Sequence, residues 1–215
     1  MKTKSILLTA VSLSLSGAML NAQYIATNGG GTVSNNITAL NGPDTIVDFY
    51  NYSPFEYGGS VGFPDSSINS FLYQEDGGAL SFVTIYSNNT TGNSATAFSS
   101  ISLSGATAAF SVQDDPPGGA DSYSSVGGTS FSATNNWQLN VTDGFAITDV
   151  SGFSQLVQSI ENSSYSNWLL HSGNDEGPFE LSLQTDLVLT PVPEPATIGL
   201  IAMAALPALL ILRRR

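Results

Sequence analysis

The 215 residues contain no cysteine. No disulfide can staple this chain, so its core must hold by packing alone. Cations are nearly as scarce. The five Lys and Arg sit at the two ends, at Lys2, Lys4, Arg213, Arg214 and Arg215. All 17 acidic residues lie between Asp44 and Glu194, a stretch whose formal charge is therefore −17, against −12 for the whole chain. Without a cation nothing there neutralises a phosphate, which excludes nucleic acid as a partner, and no Lys or Arg salt bridge can form. The missing lysine also excludes a phosphate-binding P-loop and Schiff-base chemistry. The one histidine, His171, cannot build a zinc site of the usual kind, and any Ser-His-Asp triad would have to use it. It follows Trp168-Leu169-Leu170 on an expected strand and reads as a structural or surface residue. Charged residues make up only 10% of the chain, so solubility rests on Ser, Thr, Asn and Gly.

What is present at the ends is more specific. Lys2 and Lys4 precede an apolar and hydroxyl stretch from Ile6 to Leu20, and small residues follow at Gly17-Ala18 and Asn21-Ala22. This order predicts a secretory signal peptide over residues 1–22, cut by signal peptidase after Ala22 or, failing that, after Ala18. At the other end, Pro191-Val192-Pro193-Glu194-Pro195 is followed by 17 uncharged residues, Ala196 to Leu212, and then by three arginines. As a helix the apolar run would reach roughly 25 Å, just short of a ~30 Å hydrocarbon core, and Gly199 and Pro207 weaken it. Arg213, Arg214 and Arg215 would hold its end on the cytoplasmic side, leaving the rest of the chain outside. The prolines around Glu194 forbid helix and favour an extended, accessible segment.

Pro193-Glu194-Pro195, the span and the arginine cluster together resemble the PEP-CTERM sorting signal of Gram-negative bacteria. The resemblance covers about 25 residues and implies a chain exported across the inner membrane and transiently anchored there by residues 191–215. An exosortase-type membrane protease would then cut near Pro193, Glu194 and Pro195, and the protein would be released or attached at the cell surface or exopolysaccharide matrix. A plain tail anchor that is never cut is the alternative reading of the same residues. The resemblance says nothing about the exported part, residues 23–190.

That part, about 170 residues, suits one domain, and its texture is β. Short apolar runs separated by turn residues predict strands at Thr45–Tyr50, Ser67–Tyr73, Leu80–Tyr86, Ala97–Leu103, Ala108–Val112 and Phe145–Thr148. Gln23 to Pro43, rich in Gly and Asn, reads as a loose lead-in holding one short strand at most. Thr142-Asp143-Gly144 reads as a turn. Phe179, Leu181, Leu183, Leu187 and Leu189 share one parity and predict one long final strand, buried on one face. Phe153, Leu156, Val157 and Ile160 stand at helical spacing behind Ser151, predicting a short helix over 152–161. The expected fold is all-β, an antiparallel two-sheet sandwich, jelly-roll-like, with one short helix.

Candidate sites within it are few. Asp114, Asp115 and Asp121 lie in one acidic loop and could offer calcium clustered oxygens, although their spacing is not that of an EF-hand; Asp175 and Glu176 form a second such loop. Tyr50, Tyr52 and Tyr57 form an aromatic, polar, turn-like cluster suited to stacking on a ligand. The functional expectation is a non-catalytic surface or matrix protein, structural or carbohydrate-binding. The alternative is a secreted hydrolase working with two carboxylates, such as a glycoside hydrolase. One consequence is independent of fold. Trypsin acting on the urea-unfolded full chain should leave a single large fragment, Ser5–Arg213, by mass spectrometry; any internal tryptic cut would contradict the charge segregation.

Overall fold

The structure is a computed structural model that describes residues 22–50, 63–64, 66–88, 95–114, 121–136, 141–174 and 176–193. Tyr52, Tyr57, Asp115, Asp175, Glu194, Pro195 and Arg213 to Arg215 fall outside these residues, as do the expected signal peptide up to residue 21 and the expected span. Among the described residues no helix is long and apolar enough to cross a membrane.

Strands β1 (Gln23–Asn28) and β2 (Gly31–Thr38) form a hairpin where a loose lead-in was expected. The glycines explain it. Gly29 and Gly30 both take positive φ, 62° and 79°, the two-residue turn whose twist matches that of the strands it joins. After the short β3 (Leu40–Gly42) comes the only described helix, α1 (Ile46–Tyr50), where a strand was expected. Thr45 caps it: its hydroxyl accepts the Asp48 N–H at 3.2 Å and donates to the Asp48 carboxylate at 2.7 Å. The first bond satisfies one of the helix's free N–H groups, and the second holds the capping hydroxyl in place. Strands β4 (Ser67–Glu75) and β5 (Leu80–Asn88) form the expected hairpin, followed by β6 (Thr96–Ser104) and β7 (Ala109–Gln113). A hairpin absent from the sequence reading, β8 (Ser122–Val126) with β9 (Ser130–Asn136), turns on Gly127 and Gly128.

Strand β10 (Val141–Thr148) runs straight through Thr142-Asp143-Gly144, where a turn was expected. Gly144 is there for close approach: a Cβ would collide with the Thr84 carbonyl on β5. The expected helix is instead β11 (Gln155–Glu161), in which Leu156, Gln158 and Ile160 point inward and Val157 and Ser159 outward. After β12 (Asn167–Leu170), the expected long final strand is two strands, β13 (Phe179–Leu181) and β14 (Leu187–Pro191). Between them the Asn28 side chain fastens the crossing, donating to the Thr185 carbonyl at 2.9 Å and accepting the Ser182 N–H at 2.7 Å.

Sheet I has the order β2-β1-β14-β11-β6-β9-β8 and is antiparallel throughout. Sheet II has the order β13-β12-β4-β5-β10-β7 with β3 also on β4, and it is mixed, because β12 and β3 both run parallel to β4. Each of these two strands follows a crossing from sheet I, which frees it from hairpin geometry. The sheets face each other across one apolar core, with Tyr24, Leu156, Ile101 and Phe131 on one side and Ile68, Phe82, Phe145 and Trp168 on the other. A second cluster, Ile46, Tyr50, Phe71, Tyr73, Val83 and Ile85, lies between α1 and the outer face of sheet II. Sheet II is thus buried on both faces, while sheet I keeps an open one.

At the centre of the sandwich sits a polar bridge. The buried Gln158 accepts from the Ser70 hydroxyl at 2.8 Å and donates to Thr84 Oγ1 at 2.9 Å, tying β11 to β4 and β5. Trp168 Nε1 donates to Ser70 at 3.0 Å. Gln158→Leu should cost about 1–3 kcal/mol, because Ser70 and Thr84 would stay buried without this partner. Val157→Ala, one residue away on the open face, should cost well under half of that. Urea denaturation of the two variants checks the assignment; equal costs would contradict an inward Gln158.

Candidate functional site

Strand directions place the chain ends together and one cluster of acidic residues away from them. Tyr24 pairs with Pro191, and the Val192 N–H donates to the Gln23 carbonyl at 2.8 Å, so the described chain begins and ends at one pole. At the opposite pole lie the start of β10, the end of β7 and the start of β8, and here the structure brings Asp114 and Asp121 together with Asp143. Of the three carboxylates named from the sequence, Asp114 and Asp121 belong to this cluster and Asp115 lies outside the described residues. Asp143 was missed because the Asp-Gly pair that usually marks a turn here sits within a strand.

Asp143 is 1% exposed. Its carboxyl accepts Asn135 Nδ2 at 2.6 Å and the Gly144 N–H at 2.7 Å. With no cation near, burial pushes its pKa up to about 9, helped by the hydrogen-bonded and repelling Asp121 and by the charge on Asp114. It is therefore a neutral acid at pH 7, hydrogen-bonded to the Asp121 side chain. Tyrosines close the cluster. The Tyr123 hydroxyl donates to the Asp114 carbonyl at 2.8 Å and lies 3.4 Å from Asp121 Oδ2. Tyr50, on α1, donates to Asp114 Oδ2 at 3.2 Å, and Tyr165 donates to Asn135 Oδ1 at 3.1 Å. Burial first, and the carboxylates second, hold the Tyr50 and Tyr123 hydroxyls well above the usual phenol range. Tyr50 is thus buried under the cluster as a hydrogen-bond donor, a different role from the stacking platform expected of it; Tyr52 and Tyr57 lie outside the described residues.

The chemistry open to this cluster is narrow. Among the described residues no three His, Asp or Glu are placed to hold a metal ion. Asp121 and Asp143 are in hydrogen-bond contact, whereas glycosidase carboxyl pairs stand ~5–5.5 Å or ~6.5–9.5 Å apart to admit a sugar or a water. What the arrangement does is fasten β7, β8, β9, β10 and α1 at one pole.

His171, just past β12, is half-buried. Its Nε2 pairs with Asn69 Oδ1 at 2.9 Å, and its ring meets Phe63 edge-on at 5.5 Å. Burial lowers its pKa to about 4. The residues Gly58-Gly59-Ser60-Val61-Gly62 have the Gly-x-Ser-x-Gly spacing of a nucleophile elbow, another signal the sequence reading passed over. They lie outside the described residues, and that spacing draws its meaning from a strand-to-helix turn in an α/β sheet. Glu176, from the second acidic loop, is exposed and accepts Asn36 Nδ2 at 3.3 Å.

The two perturbed groups set opposite pH dependences. Asp143 binds its proton more tightly folded than unfolded, so its contribution is full below pH ~4 and is lost as pH rises towards 9. His171 resists protonation when folded, so its contribution is full above pH 6.5 and is lost as pH falls towards 4. The two oppose each other below pH 6.5, and only the loss at Asp143 remains above it. Stability should therefore decline between pH 6.5 and 9, by at most about 1.4 kcal/mol per pH unit. Asp143→Asn should flatten that decline, as read from urea midpoints across the range; an unchanged slope would contradict a protonated Asp143.

Comparison of the chain with protein-family models, with curated proteins and with solved structures returns no match.

Proposed function

We propose that this chain is the precursor of an exported, non-catalytic surface or matrix protein of a Gram-negative bacterium, structural or carbohydrate-binding, whose tail is removed by an exosortase-type protease. The observation that carries the reading is the order of the tail: Pro193-Glu194-Pro195, 17 uncharged residues, three arginines. Two features of the fold fit it. Among the described residues the last backbone hydrogen bond along the chain is that of Val192, and Pro193, the first residue of the motif, is exposed beside it. Gln23, the first residue after the expected signal-peptidase cut, opens β1 beside that same strand end. Both processing sites thus leave the domain at one pole, and the other pole points away from the membrane while the tail is still inserted. The reading of the fold as jelly-roll-like belongs to the same proposal, and what supports it is the repeated crossing of the chain between the sheets, from β5 to β6 to β7 to β8.

The proposal is tested in the native host. Intact mass of the mature protein should lack Ala196–Arg215, and Glu194→Ala should hold most of the precursor in the membrane fraction. A mature protein that keeps its tail, or a Glu194→Ala variant released as well as the wild type, would overturn it.

A further inference from the structure

The open face of sheet I is unlike the rest of the molecule. Inward residues of β11, β6 and β9 alternate with outward ones, and serine is the commonest of the outward ones. The printed registers of the sheet align them. Ser159 on β11 lies opposite Ser100 on β6, Ser100 opposite Ser132 on β9, and Ser132 opposite Ser124 on β8. Four hydroxyls therefore stand in one row across four neighbouring strands, ~4.8 Å apart. The adjoining row, ~6.8 Å along the strands, is Val157, Ser102, Ser130 and Val126. The two rows line a shallow groove of about 360 Å³.

Three properties distinguish this groove from an ordinary wet sheet face. The hydroxyls of these six serines make no hydrogen bond among the described residues, whereas Ser67, Ser70, Ser81, Ser99 and Ser172 are all engaged. Three of the strands that carry them, β11, β6 and β9, are paired on both sides, and β8 closes the sheet as its edge strand. Finally, no ionisable residue lines the groove, in a stretch of chain that is otherwise uniformly acidic. Val126, 70% exposed, and the half-buried Val157 add apolar contacts at the two ends of the second row.

We infer that this groove binds an extended strand of neutral polysaccharide lying across β11, β6, β9 and β8. Each serine offers one donor and two acceptor positions, the same functions a sugar hydroxyl offers in return, and the valines meet the C–H faces of the rings. The charge pattern selects the partner. With no cation the groove cannot hold a phosphate, sulfate or uronate, and the surrounding carboxylates repel acidic glycans. With no carboxylate of its own it cannot hold a cation. The inference deepens the carbohydrate-binding branch of the proposed function and does not depend on tail processing, which intact mass reports separately.

The test is native affinity electrophoresis of the mature protein in gels containing dextran, a soluble β-1,3-glucan or hydroxyethylcellulose, with alginate as the acidic comparison. At least one neutral glucan should retard the wild type, and alginate should not. Ser100→Glu combined with Ser132→Glu should weaken retardation at least tenfold, and so should Ser124→Glu alone, which alters only an exposed edge strand. Thr107→Glu, at the pole of the chain ends, should leave it unchanged. The proposal is overturned if no neutral glucan retards the protein, if alginate retards it equally, or if the glutamate variants bind as well as the wild type while circular dichroism shows them folded. It is also overturned if those variants abolish self-association rather than glucan binding, since the face would then be a contact between copies.

Discussion

A carboxylate taken out of water normally leans on an arginine or a lysine. Between Lys4 and Arg213 this chain has neither, and the consequences reach through the structure. Asp143 is buried all the same, and the charge that would have been paired is removed by keeping the proton, with amide donors from Asn135 and Gly144 on its oxygens. The tyrosine hydroxyls of β8, α1 and the segment before β12 supply the remaining contacts at that pole. Hydroxyls and amides likewise take the part of ion pairs at the centre, where Gln158 joins the two sheets through Ser70 and Thr84. A domain without disulfides or Lys and Arg salt bridges is thus tied internally by hydrogen bonds from hydroxyls and amides rather than by ion pairs.

The same constraint separates the surfaces. Acidic groups are spread over loops and strand ends, while the open face of sheet I carries hydroxyls. A molecule of one sign resists anionic surfaces and close approach of its own copies, so its uncharged face is the one place where contact costs little electrostatically. The chain ends lie together at one pole and the Asp143 cluster at the other, so the groove runs along the flank between them.

Much of the fold was legible because period-two burial is a strong signal where the inward residues are apolar. The β4–β5 hairpin, β6 and β7 were placed from their sequences. β11 was not, because its central inward residue is Gln158: counted as an exposed polar residue, it leaves Phe153, Leu156, Val157 and Ile160 in a false helical spacing. Glycine misled in two ways. Gly29-Gly30 is a tight hairpin turn that reads as part of a loose lead-in, and Gly144 is a close-approach glycine that reads as a turn. The short α1 announced itself only through Thr45 and Asp48, against a β-branched and aromatic run that suggested a strand. Of the acidic site, Asp114 and Asp121 were visible as a loop cluster. Its organising member, Asp143, was not, since no sequence pattern tells a buried, protonated aspartate from a solvated one.

The claim on which this account turns is that the absence of cations leaves Asp143 protonated within the folded domain. Carbon-13 NMR of the aspartate side-chain carboxyl groups measures this directly. The account predicts one aspartate, lost in Asp143→Asn, that titrates at about 9 while the domain stays folded. An Asp143 resonance already ionised at pH 7 would contradict it.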